Sequence, residues 1–152
     1  MTAHIMSWSH SSLSNFEKCK LMAKFKHLDK IPEPERPLPP GRSEHANDRG
    51  SRIHDHCENF VTGQVDTQIP EMGKYAVEFD QLRHLHSLGL VSCEGEWAVD
   101  KDWAPTDWKT GWHRSKVDAI VFPNPEVAVV IDYKSGKRFG NEVKHAEQTQ
   151  LY

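Results

Sequence analysis

The sequence lacks the features that mark secreted and membrane proteins. Its three cysteines, Cys19, Cys57 and Cys93, include no CxxC pair, so a disulfide scaffold is not expected and a reducing cytoplasm is the expected compartment. No apolar run approaches the ~18 residues of a membrane span. The first residues show no charged region followed by an apolar stretch, so no signal peptide is expected.

The sequence also has no excess of positive charge. The 152 residues include 19 Lys and Arg against 22 Asp and Glu, which gives a formal net charge of −3. This balance excludes a protein that coats nucleic acid through its total charge, so any such contact must come from local basic patches. The length is typical of one domain, expected here over residues 1–152, and the mean hydropathy of −0.70 predicts a small core.

The first part of the chain, residues 1–89, has mainly helical patterns. Apolar residues at helical spacing predict helices over 12–27, 43–61 and 71–88. Gly63 and Gly89 follow the second and third helices as expected for helix ends. Residues 32–41 form a proline-rich connector in which neither a helix nor a central strand is expected.

The second part, residues 90–152, changes to strand-like spacing. Strands are predicted over 90–99, 116–122 and 127–134, with a Trp-rich loop at 101–113 and a last helix over 141–152. Helices followed by a small, mostly antiparallel sheet and a flanking helix predict an α/β or α+β domain.

Two strands around Pro123-Asn124-Pro125-Glu126 predict a hairpin that carries two carboxylates. If residues 124–126 form a three-residue loop, Asp118 lies opposite Asp132, with Cβ atoms ~4.5–5.5 Å apart. A four-residue loop would shift the register by one residue and separate them. Asp132 and Lys134 share a face in either register, because residues two apart in a strand point to the same side.

Such a pair of carboxylates has a chemical and a plain structural interpretation. Close carboxylates repel each other, and a divalent cation would remove that cost. Oxygen ligands favour Mg²⁺ or Mn²⁺. Alternatively, Asp118 and Asp132 mark the ends of strands, and Lys134 is a solvated residue at the sheet edge.

Four motifs occur in the order found in one known family. Asp118, followed after thirteen residues by Asp132-Tyr133-Lys134, resembles the D…(D/E)xK signature of the PD-(D/E)xK nuclease superfamily. The segments 11–19, 50–54 and 148–152 resemble the opening helix, the GxxxH motif and the QxxxY motif of its RecB-like branch. That branch holds the RecB and AddAB nuclease domains and many phage exonucleases.

The resemblance implies a restriction-endonuclease-like core and a metal-dependent DNA nuclease. It further implies an exonuclease of recombination, repair or phage DNA processing that uses Mg²⁺ or Mn²⁺ and contacts DNA, with a helicase or recombination protein as a candidate partner and no membrane. Cys19 matches the first of four cysteines that hold an iron–sulfur cluster in some members, but the other three have no counterpart, so no cluster is expected. Members usually continue beyond QxxxY, which suggests a truncated or minimal chain.

The resemblance also assigns roles to individual residues. It implies that the metal ligands are His54, Asp118, Asp132 and the backbone carbonyl of Tyr133. Lys134 would position the nucleophilic water. Gln148 and Tyr152 would orient Lys134 or the DNA backbone, as further members of the catalytic set.

Local basic patches and tryptophans are candidate DNA contacts. Lys137, Arg138 and Lys144 follow the proposed active strand and are predicted to bind DNA. The lysines of the first helix are interpreted as a solvated face. The loop tryptophans, Trp103, Trp108 and Trp112, could stack on bases, but packing over the sheet edge is the favoured interpretation.

Two other functions stay open. The first is a nuclease-fold module that binds DNA or a partner without cleaving it. The second is an interaction domain stabilised by zinc at His54-Asp55-His56-Cys57, although no second ligand pair has zinc spacing. The sequence also leaves open whether Glu94 and Glu96 act near the metal site or only solvate a strand edge.

Overall fold

The computed structural model describes residues 6–136 and 142–151 and has a mixed α/β architecture. Its three strands form an antiparallel sheet in the order β1-β2-β3, which confirms the predicted fold class. The helices are α1 (His10–Lys18), α2 (Lys20–Ala23), α3 (Ala46–Val61), α4 (Ala76–Ser87) and α5 (Glu142–Thr149), and the strands are β1 (Val91–Val99), β2 (His113–Asn124) and β3 (Val127–Ile131). Among the described residues, no helix is long and apolar enough to cross a membrane.

The prediction of a single helix over 12–27 is wrong, because the helical conformation is interrupted at Cys19. This residue is extended, with φ −160° and ψ 106°, and its Sγ accepts a hydrogen bond from Met22 N at 3.5 Å. Cys19 therefore ends α1 and caps α2, which continues into a π-helical turn (Lys24–Leu28). Of residues 10–28, Ala23 alone is buried, so little tertiary packing supports one long helix here.

The other predicted helices form with small changes at their ends. α3 begins at Ala46, and the third predicted helix begins as a 3-10 helix (Pro70–Tyr75) before α4. Gly63 and Gly89 follow their helices with φ +80° and +73°. Glycine adopts this left-handed conformation without the steric cost that other residues meet, so both stop signals are confirmed.

The chain divides into two compact units, each with its own packing. The first comprises Met1–Pro37, Glu96–Lys116 and Lys144–Tyr152, and the second comprises Leu38–Gly95 and Val117–Val143. The second unit holds the main hydrophobic core, in which one face of α3 packs with residues of α4, β1 and β2. Its buried members are Ile53, Cys57, Phe60, Val61, Met72, Phe79, Leu82, Val91 and Ala119.

Tryptophans organise the packing of the first unit. Trp8 N donates to Trp112 O and Arg114 N donates to Trp8 O, both at 2.9 Å, so the N-terminal segment bridges to β2. The Trp8 ring lies edge-on to Trp112 at 5.3 Å, and Trp103 lies edge-on to Trp112 at 6.1 Å. The Arg114 guanidinium lies 5.4 Å from the Trp108 ring centre. These contacts fit the packing interpretation for Trp108 and Trp112, whereas Trp103 is 56% exposed. Base stacking by the loop tryptophans stays a prediction.

The β2–β3 hairpin has the predicted register but a shorter loop. The pairs Ala119–Ile131 and Val121–Val129 follow the register that sets Asp118 opposite Asp132. The three-residue loop is wrong, because Asn124 pairs with Val127 across Pro125 and Glu126, and an irregularity before Asn124 absorbs the difference. Asn124, which was expected in the loop, therefore lies within β2.

The close approach of Gly111 to Ala98 generates a stability prediction. A Cβ added at Gly111 would lie 2.6 Å from Ala98 Cβ, closer than two carbon atoms can pack. Gly111→Ala should therefore lower the free energy of unfolding by about 1–3 kcal/mol, the usual cost of overpacking. Denaturant unfolding measures this. Gly73→Ala is the matched control, since nothing lies within 4 Å of its added Cβ, and equal losses in both variants would contradict the prediction.

Candidate active site

The carboxylate of Asp118 joins three segments of the second unit. Asp118 lies in β2 between the buried Val117 and Ala119 and is itself only 13% exposed. Its Oδ1 accepts a hydrogen bond from His54 Nδ1 of α3 at 2.9 Å, and its Oδ2 accepts one from the backbone N–H of Tyr133 at 2.5 Å. Both oxygens are therefore held, one by a helix and one by the segment after β3.

The phase of α3 places His54 at the edge of the buried face. Ile53 and Cys57 are one turn apart and buried in the core, and His54 follows Ile53 directly. A residue at that position keeps one side of its ring toward the protein and the other toward solvent. The imidazole can therefore reach Asp118 while still being accessible.

Asp132 and Lys134 form an ion pair in the segment after β3. Together with Tyr133 they line a cleft of about 700 Å³ in the second unit, whose other walls come from α3, the 3-10 helix and α4. This volume lies within the ~300–1,000 Å³ range of ligand pockets. A molecule that enters the cleft would therefore meet both charged side chains.

Acidic neighbours raise the pKa of His54 above its ordinary value. The main cause is the hydrogen bond to Asp118, which stabilises the imidazolium, and the negative charges of Asp118, Asp132 and Glu94 add to it. Burial acts in the opposite direction but does not prevail. His54 therefore binds a proton more readily than a solvated histidine does.

Tyr133 is anchored in the core by its ring. The ring centre lies 5.1 Å from that of Phe79 and 5.9 Å from that of His54. Its hydroxyl is buried with no hydrogen-bond partner among the described residues, and burial raises its pKa. The anchored ring fixes the backbone of the segment that carries Asp132 and Lys134.

Glu94 is an acidic neighbour of the candidate site, and the sequence left its role undecided. Its charge contributes to the raised pKa of His54. The residue lies within β1 but has φ +49°, an uncommon conformation for a residue other than glycine. The two glutamates of this strand indicated that an acidic residue could lie near the site. The sequence did not indicate which one, because the left-handed backbone of Glu94 has no sequence signature.

Arg49 is a neighbour of the site that sequence reasoning missed. Its Nη1 donates to the carbonyl oxygen of Ser135 at 3.2 Å, and its Nη2 lies 3.7 Å from Glu71 Oε1. The contact ties the first turns of α3 to the residue directly after Lys134. Its position directly before Gly50 of the GxxxH-like segment could have identified it as a residue near the site.

The donor types fit a hard divalent cation, although their side chains are paired with one another. An imidazole nitrogen, two carboxylates and the carbonyl of Tyr133 are ligands that Mg²⁺ or Mn²⁺ accepts. Across residues 6–136 and 142–151, no group of three or more His, Cys, Asp and Glu side chains has metal-binding geometry. A cation would therefore replace the contacts of His54 with Asp118 and of Lys134 with Asp132.

Five further residues were predicted to act at the site. Gln148 lies in α5, within the first unit. Tyr152, Lys137 and Arg138 lie outside the described residues, as does the side chain of Lys144. Their roles stay predictions.

Comparison with known protein families gives a match over nearly the whole chain. A family model for the PD-(D/E)XK nuclease superfamily matches residues 7–152. Neither a search of curated proteins nor a search of solved structures found a significant match.

The His54–Asp118 hydrogen bond predicts how stability depends on pH in the absence of metal. Because the folded pKa of His54 is raised above the unfolded value of about 6.5, the stabilisation is complete below about pH 6.5 and is lost as pH rises through the folded pKa. The loss should be about 1 kcal/mol, since the pair keeps some solvent contact. Urea unfolding at several pH values in EDTA measures it.

Asp118→Asn is the companion variant. It should remove this pH dependence and lower the free energy of unfolding by about 1–3 kcal/mol, because the charged acceptor of two hydrogen bonds is lost. Relief of carboxylate repulsion would instead stabilise the variant. An increase in stability would therefore show that repulsion between Asp118 and Asp132 outweighs these hydrogen bonds.

Proposed function

Because the chain belongs to the PD-(D/E)XK nuclease superfamily, we propose that it is a Mg²⁺- or Mn²⁺-dependent deoxyribonuclease of the RecB-like branch. Membership in the superfamily suggests a nuclease, with DNA as the implied substrate. The proposal adds the metal, the branch and an exonuclease role in recombination, repair or phage DNA processing, carried by residues 1–152 as one nuclease domain.

The observation that carries the proposal is the pair of contacts made by Asp118. They bring His54 from the GxxxH-like segment to the first carboxylate of the D…DxK signature, and they bring Tyr133 of that signature to the same carboxylate. Residues that are 64 and 15 positions apart thus share one carboxylate. A chance match of short motifs would not require them to meet.

Each residue of the cluster has a defined task in phosphodiester hydrolysis. We assign His54, Asp118, Asp132 and the Tyr133 carbonyl as metal ligands. A bound divalent cation would polarise the phosphate and make its water more acidic. Lys134, at the cleft, would orient the attacking water and stabilise charge that develops on the phosphate.

Residues beyond the cluster complete the proposal. Gln148 and Tyr152 would orient Lys134 or the DNA backbone. Lys137, Arg138 and Lys144 would contact phosphates, because they follow the proposed active segment in a chain whose net charge is otherwise unfavourable for DNA.

Substitution of the carboxylates tests the proposed chemistry. Asp118→Asn and Asp132→Asn should each abolish Mg²⁺- or Mn²⁺-dependent cleavage of end-labelled DNA, while Asp55→Asn, an exposed aspartate next to the site, should not. Lys134→Ala should still bind Mn²⁺ by calorimetry but lose turnover by more than about 100-fold, as expected for a residue that stabilises the transition state.

A parallel assay with circular DNA separates exonuclease from endonuclease action. Full activity in both aspartate variants would refute the assignment. Binding of DNA without cleavage by the parent in either metal would favour the non-cleaving module.

The raised pKa of His54 predicts the pH dependence of metal binding. A ligating imidazole must be neutral, so Mn²⁺ affinity should fall as pH decreases, and the fall should begin above the ordinary value of about 6.5. His54→Ala should weaken Mn²⁺ binding and flatten this dependence. His56→Ala is the control, because its ring bonds to the Thr67 carbonyl instead. Equal effects of both variants on calorimetric titration would exclude His54 as a specific ligand.

A further inference from the structure

The N-terminal helical segment of the first unit leaves its apolar side chains uncovered. We call residues 10–28 the basic–aromatic face, because lysines and exposed apolar side chains are interspersed along this segment. The exposed fractions are 39% for Leu13, 43% for Phe16, 58% for Leu21, 40% for Met22 and 42% for Phe25. Five large exposed apolar side chains in so short a segment make it a candidate binding surface.

The break at Cys19 explains why this surface is not a buried helix face. The apolar spacing of 12–27 would form one stripe on a continuous helix. The extended backbone of Cys19 separates α1 from α2, and the π-helical turn changes the angle between successive residues again. Phe16 and Phe25 are therefore displayed by different elements.

The same face concentrates positive charge. It holds Lys18, Lys20, Lys24 and Lys26 against Glu17, a local net charge of +3, whereas the whole chain has −3. The rest of the protein therefore carries −6. An anionic ligand would therefore be attracted to this face in spite of the net negative charge of the chain.

Two lysines lie against the two rings. Lys20 Nζ is 5.5 Å from the centre of the Phe16 ring, and Lys24 Nζ is 5.6 Å from that of Phe25. Lys24 also pairs with Asp29, and Lys26 pairs with Glu33. Among the described residues, no ion pair involves Lys18 or Lys20, so their charges are available to a ligand.

A cavity opens beside Phe16 within the same unit. Its volume is about 620 Å³, and Trp8, Leu13 and Leu28 contribute to its walls. His27 also lines it and shares a hydrogen bond with Asn15 at 3.2 Å. An apolar recess with a polar ring nitrogen at its wall is suited to a flat heteroaromatic group.

We propose that the basic–aromatic face binds single-stranded DNA. Phe16 and Phe25 stack on bases, and Lys18 and Lys20 contact phosphates. Aromatic rings interleaved with cations are the usual means of holding single strands, because every unpaired base offers a stacking face. Duplex DNA is disfavoured, since its bases are already stacked on each other. The inference rests on the proposed function only in taking DNA as the ligand.

Binding of a fluorescent oligo(dT) by the full chain in EDTA tests the inference, because cleavage cannot contribute without metal. Lys18→Ala/Lys20→Ala should reduce the slope of log affinity against log salt by about 1.4, since each phosphate contact on a single strand contributes about 0.7. Lys101→Ala/Lys109→Ala, two exposed lysines outside the face, is the control and should leave the slope unchanged.

Removal of the Phe16 and Phe25 rings should lower the affinity for single-stranded DNA without changing its salt dependence. Phe16→Ala/Phe25→Ala should weaken single-strand binding by roughly tenfold per ring, with little change for a duplex. Phe16→Leu/Phe25→Leu keeps apolar volume and removes only the aromatic ring, so it should show most of the same loss even if the alanine variant folds poorly.

Three outcomes would overturn or separate the proposals. Parental single-strand binding in both the lysine and phenylalanine variants would refute this inference, even if the parent cleaves DNA with Mg²⁺ or Mn²⁺. Loss of a parental dimer in the phenylalanine variants, with DNA binding unchanged, would identify the face as an interface between copies. Binding through the face without cleavage in either metal would support this inference and refute the proposed function.

Discussion

The carboxylate of Asp118 is the contact on which the candidate site depends. One oxygen accepts from His54 and the other from the backbone of Tyr133, so a single side chain fixes α3 and the segment after β3 relative to β2. The contact requires the right helical phase in α3 and the right register between β2 and β3 together. A one-residue shift in either would turn His54 or Asp118 away.

Charge within the site is balanced by the protein itself. The sequence suggested two carboxylates whose repulsion a cation relieves, but each has a positive or proton-bearing partner, His54 for Asp118 and Lys134 for Asp132. A cation bound here would therefore compete with a proton on His54 and with the ammonium of Lys134. If the proposed metal binds, its affinity would therefore depend on pH, and Asp132 would exchange the ammonium of Lys134 for the cation.

Periodicity and turn residues were sufficient to predict most of the fold. The alternation around residues 116–134 predicted the hairpin, because one side of each strand must face the core. Its register stayed open between two loop lengths, and the structure decided it. Gly63 and Gly89 marked helix ends, since only glycine adopts their backbone conformation cheaply. Ordered motifs then identified His54, Asp118 and the 132–134 segment as one candidate cluster.

The sequence by itself determined the family, the order of elements and which residues could form the site. Tertiary structure decided the break at Cys19, the irregularity before Asn124 and the left-handed backbone of Glu94. It also joined Arg49 to Ser135. Hydrophobic spacing indicates only which face of an element is buried on average. A local change of backbone conformation costs a few kcal/mol at most, so the packing around it decides whether it occurs.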